Sequence, residues 1–182
     1  MDFPKDTSSQ FDAVVSKCCD IFSLKTKDYG TSWRVMRTAT LTDQLYIKAK
    51  RIRTIEENGT HLVEEGVYEE WIAMVNYAIM AIIQHHQNNE ELELEASHAL
   101  ALYDKTMAEV KALMMRKNHD YGEAWREMRI SSYTDMVLTK LQRLRQIEDN
   151  QGSTAISEGP VGHYSDIANY SIFALIRLDE GA

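Results

Sequence analysis

A chain of 182 residues is long enough to bury a hydrophobic core and is about the length of one ordinary domain. Its 44% hydrophobic and 26% charged residues exclude a disordered chain, and its net charge of −8 argues against a protein that coats long nucleic acid by general attraction. The chain contains only two prolines, which favours helices.

Each half of the chain is predicted to form three helices. In the first half these lie at about residues 9–26, 42–58 and 67–87, where apolar residues recur at the spacings of three and four that are typical of a half-buried helix. The second half repeats this pattern, and its third helix lies at about residues 162–178. No segment shows the alternation of a β-strand, so we predict an all-α helical bundle.

Two kinds of residue set the predicted ends of these helices. Gly30 and Gly122 can adopt the positive φ angle that closes a first helix. Thr42 and Thr134 are the predicted N-caps of the second helices, because a threonine hydroxyl can accept a hydrogen bond from an exposed backbone N–H group.

The two halves are copies of one unit. The stretch Asp28-Tyr29-Gly30-x-x-Trp33-Arg34-x-Met36-Arg37 recurs 92 positions later as Asp120-Tyr121-Gly122-x-x-Trp125-Arg126-x-Met128-Arg129. Positions 25–58 share 16 identities with positions 117–150, and after one inserted residue the shift becomes 93. We therefore expect a first copy at residues 1–87, a linker at 88–97 and a second copy at 98–182. The copies are predicted to pack as one globular body about a pseudo-twofold axis.

The identities between the copies are mostly charged and polar, which favours a binding site for a small anion over a shared core pattern. Lys48 and Lys140 fall inside the apolar arc of the second helices, where a lysine is costly unless its ammonium group is paired or reaches solvent. An ion pair with a third-helix carboxylate and a phosphate ligand explain this position equally well. The candidate phosphate-binding residues are Lys48, Arg51, Lys140, Arg143, Arg37 and Arg129.

Acidic residues continue the apolar stripe of the third helices. Inward carboxylates on facing helices are how bundles hold divalent ions, and Mg²⁺ uses one or two carboxylates together with phosphate oxygens. The alternative is that these acids neutralise the two lysines. The candidate catalytic and metal-binding residues are Glu65, Glu69, Glu158 and Asp166.

Trp33 and Trp125 are interpreted as core residues, although their flanking arginines would also suit stacking on a base. The six histidines share no pattern between the copies and show no metal-ligand spacing. The candidate base- or substrate-binding residues are Asp28, Tyr29, Trp33, Asn76, Asp120, Tyr121, Trp125 and Asn169.

The expected surroundings are cytoplasmic. No apolar run approaches the ~20 residues of a membrane span, and the N-terminus lacks the basic and apolar regions of a secretion signal. Cys18 and Cys19 are adjacent and are not repeated, so they indicate neither a disulfide nor a metal site. We expect a small-molecule nucleotide as partner, with no membrane and no long nucleic acid. The chain is a pseudo-dimer in itself, which leaves a further homodimer open.

The order Asp-Tyr-Gly-x-x-Trp, Thr-Asp, Lys-x-x-Arg, Glu-Gly and Asp-x-x-Asn-Tyr resembles the first type of the nucleotide modification associated domain family, once per copy. Asp166-Ile167-Ala168-Asn169-Tyr170 looks like that family's Asp-Leu-Ala-Asn-Tyr element. The family is in turn distantly similar to the MazG-like all-α nucleoside triphosphate pyrophosphohydrolases, which depend on Mg²⁺. This resemblance implies a MazG-like bundle with Mg²⁺ as cofactor. The chain departs from the MazG pattern, because Lys48-x-x-Arg51 and Lys140-x-x-Arg143 stand where an acidic pair is expected.

Two functions from different classes are consistent with these features. The leading hypothesis is Mg²⁺-dependent hydrolysis of (deoxy)nucleoside triphosphates to monophosphate and pyrophosphate, or the handling of modified nucleotides. The alternative is a non-catalytic module that binds or senses a nucleotide. A purely structural helical protein would not explain why charged residues, more than apolar ones, are shared between the copies.

Overall fold

The chain is all-α, as predicted. The computed structural model describes residues 6–62, 65–87, 91–151 and 159–182, and within them the chain forms six α-helices and no strand. These are α1 (Thr7–Tyr29), α2 (Thr38–Asn58), α3 (Val67–His86), α4 (Ala96–Tyr121), α5 (Ile130–Asp149) and α6 (Pro160–Asp179). Short 3₁₀ helices at Ser32–Val35 and Ala124–Glu127 join the first helix of each copy to the second. In this described part, no helix is long and apolar enough to cross a membrane.

The third helices, α3 and α6, pack against each other at the centre of the molecule. In each copy the second helix packs on the third, and α2 and α5 also pack against each other. The first helices, α1 and α4, each contact both central helices. Almost every residue of α6 from His163 to Ile176 is buried, as expected for a helix that is apolar on most of its sides.

Gly30 and Gly122 end α1 and α4, which confirms the predicted turns. Their φ angles are 64° and 60°, in the left-handed region that favours glycine. Each donates its backbone N–H to a carbonyl one turn earlier, that of Thr26 or Asn118. Equivalent glycines therefore set where each first helix stops and its tryptophan turn begins.

The predicted N-caps of the second helices are wrong. α2 begins at Thr38 and α5 at Ile130, so both threonines lie one turn inside the helix. Thr42 instead donates its hydroxyl to Glu148 Oε1 at 2.7 Å, and Thr134 donates to Glu56 Oε1 at 2.7 Å. Each hydrogen bond joins one copy to the other, and a buried threonine that reaches the opposite helix is not free to cap its own.

Two ion pairs also join the copies in this reciprocal way. Arg145 Nη2 lies 3.2 Å from Asp43 Oδ1, and Arg53 pairs with Asp135. Contacts that occur twice with their partners exchanged are the signature of a twofold interface. The shared threonine, aspartate, arginine and glutamate positions are therefore explained by the contact between α2 and α5, in which Arg53 and Arg145 have a structural role.

The central helices also hold the tryptophan turns. Gln84 on α3 donates its Nε2 to the carbonyl oxygens of Arg34, at 2.9 Å, and Met36, at 2.7 Å. Arg177 on α6 makes the equivalent bonds to Arg126 and Met128. The Arg34 side chain is itself buried and bonded to Gln84 and to the Glu91 carbonyl, so this repeated arginine also supports the fold.

The carboxylates at the interface between the copies predict a pH dependence of stability. Burial raises the pKa of both Glu56 and Glu148 above the ordinary value of 4.5, against the opposing effect of the threonine hydrogen bonds. A raised pKa means that the folded state binds the proton more tightly, so this contribution to stability is complete below about 4.5 and is lost as the pH rises through the folded-state pKa. We expect the free energy of unfolding of the Glu56→Gln, Glu148→Gln double variant to fall less with rising pH, because glutamine keeps an acceptor for each threonine without titrating.

The measurement is urea unfolding followed by circular dichroism at several pH values between the ordinary glutamate pKa and neutrality. The wild-type protein should lose stability across this interval and the double variant should lose less. Parallel profiles for the two proteins would show that these carboxylates do not cause the dependence.

Candidate functional site

Each copy has a pocket between its three helices. The Lys48 pocket, in the first copy, has a volume of about 270 Å³, and the Lys140 pocket, in the second copy, about 400 Å³. Several lining residues are equivalent in the two copies and identical: Lys25 and Lys117, Lys48 and Lys140, Asn76 and Asn169, Tyr77 and Tyr170. The internal repeat thus places one pair of lysines, one asparagine and one tyrosine around each pocket.

A buried glutamate of the Lys48 pocket pairs with two cations of α2. Glu70 is 1% exposed, and its Oε1 lies 3.3 Å from Lys48 Nζ and 2.9 Å from Arg51 Nη1. Lys48 therefore has the third-helix carboxylate partner that one interpretation predicted, but the acid is Glu70 and not one of the predicted residues. The equivalent position in the second copy is His163, so this cluster belongs to the first copy alone.

The acids predicted for the first copy have other contacts. Glu69 Oε2 accepts the Gly66 N–H at 2.9 Å and so closes the N-terminus of α3. The backbone carbonyl of Glu65 accepts a hydrogen bond from Arg51, and its side chain is at the exposed rim of the pocket. Ala73 occupies the position that Asp166 has in the second copy.

In the Lys140 pocket one carboxylate is shared by two lysines. Asp166 on α6 is 6% exposed; its Oδ1 lies 2.7 Å from Lys117 Nζ on α4, and its Oδ2 lies 3.1 Å from Lys140 Nζ on α5. Both lysine side chains remain partly exposed, at 41% and 25%. Arg143, the counterpart of Arg51, bonds to Gln146 at 3.3 Å and does not line the pocket. Asp166 thus holds two ammonium groups side by side at the pocket wall.

Aromatic side chains form the rest of this pocket. Trp125 stacks on Phe173 with ring centres 4.2 Å apart, and the Arg126 guanidinium lies 4.3 Å from the centre of the Trp125 ring. The Trp125 indole N–H donates to Asn118 Oδ1 at 3.0 Å. Trp125 therefore lines the pocket with the edge of its ring and not with a free face, consistent with its interpretation as a core residue.

Two tyrosines of the same pocket are better placed to meet a ligand. Tyr121 lines it with 74% of its surface exposed. Tyr170 lies deeper, where burial raises the pKa of its hydroxyl, and among the described residues that hydroxyl makes no hydrogen bond. The pocket thus presents an exposed aromatic ring at its mouth and a hydroxyl inside.

The repeated asparagines fix the first helix of each copy to the third. Asn76 donates its Nδ2 to the Cys18 carbonyl at 3.0 Å, and Asn169 donates to the Val110 carbonyl at 3.3 Å. Asn76 Oδ1 accepts the hydroxyl of Tyr103 at 2.7 Å. Phe11 stands at the position equivalent to Tyr103 and has no hydroxyl, which explains why the buried Oδ1 of Asn169 has no hydrogen-bond partner among the described residues.

The three predicted metal ligands that lie within the described residues do not converge on one point. Glu65 and Glu69 line the Lys48 pocket, Asp166 lines the Lys140 pocket, and Glu158 lies outside the described residues. In the part of the chain that the structure describes, no three His, Cys, Asp or Glu side chains are grouped as metal ligands. Since both oxygens of Asp166 are taken by ammonium groups, the described residues do not fit a Mg²⁺ centre.

The other predicted residues lie outside the two pockets. Trp33 is buried against Phe22, with ring centres 6.3 Å apart. The remaining ones are exposed and line neither pocket: Arg37, Arg129, Asp28, Tyr29 and Asp120.

Sequence reasoning missed two pairs of pocket residues that the repeat itself could have identified. Lys25 and Lys117 are identical between the copies, as are Tyr77 and Tyr170. Glu70 was also missed, and no signal marks it, because the second copy has a histidine there.

The family model described as nucleotide modification associated domain 1 matches the chain twice, over residues 25–85 and 117–178. These two segments contain nearly all of the residues that line the Lys48 and Lys140 pockets. No curated protein and no solved structure matches the chain.

Proposed function

The chain belongs to the nucleotide modification associated domain 1 family, and from this premise we propose that it binds a nucleotide in the Lys140 pocket. The observation that carries the proposal is the pairing of two partly exposed ammonium groups, Lys117 and Lys140, with an exposed aromatic ring, Tyr121, around one cavity. A volume of about 400 Å³ lies in the range of small-ligand pockets.

The lysines supply the phosphate end of this site. A Lys ammonium group has three donors and binds phosphate as a compact charge. Because Asp166 engages one oxygen with each lysine, it fixes the two ammonium groups next to each other, and both lysine side chains stay partly exposed.

The tyrosines supply the base end. Stacking of a base on an aromatic ring tolerates any base, since every base has a π-face. Tyr121 has the exposed ring for such a contact, and the inner hydroxyl of Tyr170 can accept or donate a hydrogen bond.

The Lys48 pocket is less suited to the same ligand. It is smaller, and neither Tyr29 nor Trp33 lines it, although their counterparts Tyr121 and Trp125 line the Lys140 pocket. Phe22 and Tyr77 are the aromatic residues around it, against Tyr121, Trp125, Tyr170 and Phe173 around the Lys140 pocket. We assign the nucleotide to the second copy on this difference.

Between the two functional hypotheses, the geometry favours a binding module over a Mg²⁺-dependent pyrophosphohydrolase. Metal-assisted hydrolysis needs carboxylates that hold the ion beside the attacked phosphorus. The three predicted acids that the structure describes are divided between two pockets, and Asp166 is neutralised by lysines.

The experiment that tests the proposal combines calorimetric titration with a panel of canonical and base-modified nucleotides and a separate assay of pyrophosphate and phosphate release with Mg²⁺. Saturable binding of at least one nucleotide without turnover is the expected result. If none of the panel binds, the proposed function is wrong; release of pyrophosphate would establish the hydrolase instead.

Tyr121→Ala is expected to weaken nucleotide binding by about tenfold or more, because stacking on an aromatic ring contributes about 1–3 kcal/mol per base. Stability should change little, since the side chain is 74% exposed. The matched control is Tyr29→Ala, which removes the equivalent tyrosine of the first copy, 72% exposed and outside both pockets. Equal losses of affinity in the two variants, measured by the same titration, would show that Tyr121 does not contact the base.

A further inference from the structure

The cations around the Lys140 pocket are fewer than a polyphosphate would require. Of the basic residues of the second copy, Lys117 and Lys140 line the pocket. Arg143 is engaged with Gln146, and Arg129 is exposed and does not line the pocket. The two ammonium groups and the Asp166 carboxylate between them leave one net positive charge, which suits a single phosphate group better than a chain of three.

A nucleoside triphosphate carries further negative charge, which proteins usually neutralise with a divalent ion held by one or two carboxylates. Asp166 is the carboxylate that lines this pocket in the described part of the chain, and both of its oxygens face lysine ammonium groups. Another cation at the same carboxylate would lie next to two positive charges, which disfavours it.

From these two observations we propose that the Lys140 pocket recognises a nucleoside 5′-monophosphate unit: it binds the base and the phosphate on the sugar, and gives no contact to a second or third phosphate. This inference rests on the proposed function and names its ligand class. Lys117 and Lys140 bind the single phosphate, and Tyr121 stacks on the base. A triphosphate then binds through its α-phosphate alone, and the rest of its chain extends into solvent.

The test compares the four deoxynucleosides with their 5′-mono- and triphosphates by calorimetry, first in EDTA and then in excess Mg²⁺. For the base that binds best, the first phosphate should tighten binding by about tenfold or more, and the next two should change it by less than about threefold. Mg²⁺ should not raise the affinity for the triphosphate above that for the monophosphate.

The inference is overturned if the Mg²⁺ complex of a triphosphate binds about tenfold more tightly than the monophosphate. That outcome leaves nucleotide binding itself intact, so it is distinguishable from failure of the proposed function, in which no ligand of the panel binds.

Asp166→Asn gives a second, independent readout. Removing this carboxylate removes a negative charge beside the phosphate, so the monophosphate should bind at least as tightly as before. In a variant with an unchanged melting temperature, loss of monophosphate binding would contradict the placement of an anionic phosphate beside Asp166 and the two lysines.

Discussion

Replacing Lys48 and Arg51 together by methionine is expected to lower the free energy of unfolding by about 3 kcal/mol or more. The two side chains are the cations that face Glu70, whose side chain is 2% exposed. Without them a buried carboxylate must either remain charged without a partner or take up a proton, and both cost stability. Urea unfolding followed by circular dichroism measures the loss.

The same substitution in the second copy is the matched control. Lys140→Met with Arg143→Met leaves Asp166 paired with Lys117, so we expect a loss of roughly 1 kcal/mol. A triple variant that adds Glu70→Leu to the first-copy double should recover most of the lost stability, because a buried ion pair can be replaced by apolar residues of similar volume. Equal losses in the two double variants, or no recovery in the triple variant, would show that Glu70 is not the cause.

The second large effect is expected in nucleotide binding. Replacing Lys117 and Lys140 by methionine, together with Asp166→Asn, removes both ammonium groups without stranding the carboxylate that they hold. Each lost ammonium group should weaken binding by about tenfold, so the triple variant should bind about a hundredfold more weakly, or by ~2.7 kcal/mol.

The control is the double variant Lys25→Met, Lys48→Met, which removes the equivalent lysines of the first copy and leaves Glu70 paired with Arg51. Its nucleotide affinity should be unchanged. Calorimetric titration of the two variants side by side assigns the ligand to one pocket. A loss of affinity in the first-copy variant as large as that in the second-copy variant would mean that the Lys48 pocket also binds the nucleotide.

Much of the fold could be predicted because the repeat and the helical spacing are local signals. The apolar positions at spacings of three and four placed all six helices, and Gly30 and Gly122 marked the two turns. The N-cap prediction failed because a threonine just before an apolar run can have either of two roles. It can cap its own helix, or it can lie inside the helix and bond to a neighbouring helix, as Thr42 and Thr134 do. Only the packing of α2 on α5 separates the two interpretations.

The site was less predictable for a related reason. The repeat shows which residues are identical in the two copies, but not which of them contact each other. It therefore did not separate residues of the interface between the copies, such as Arg53, from residues of the pockets, such as Lys140. Comparing the two copies also cannot identify a functional residue that only one copy has. Glu70 was missed for that reason, and Glu69 was taken as a site residue although it closes its own helix.

The most direct test of nucleotide binding in the second copy uses the indole N–H signals of the three tryptophans in a ¹⁵N-labelled protein. Trp125 lines the Lys140 pocket, whereas Trp33 and Trp71 are buried elsewhere and line neither pocket. Titration with the best-binding deoxynucleoside monophosphate should shift the Trp125 signal, assigned with a Trp125→Phe variant, and leave the other two in place. Saturable binding that leaves the Trp125 signal unmoved, or moves Trp33 instead, would contradict the assignment of the nucleotide to this pocket.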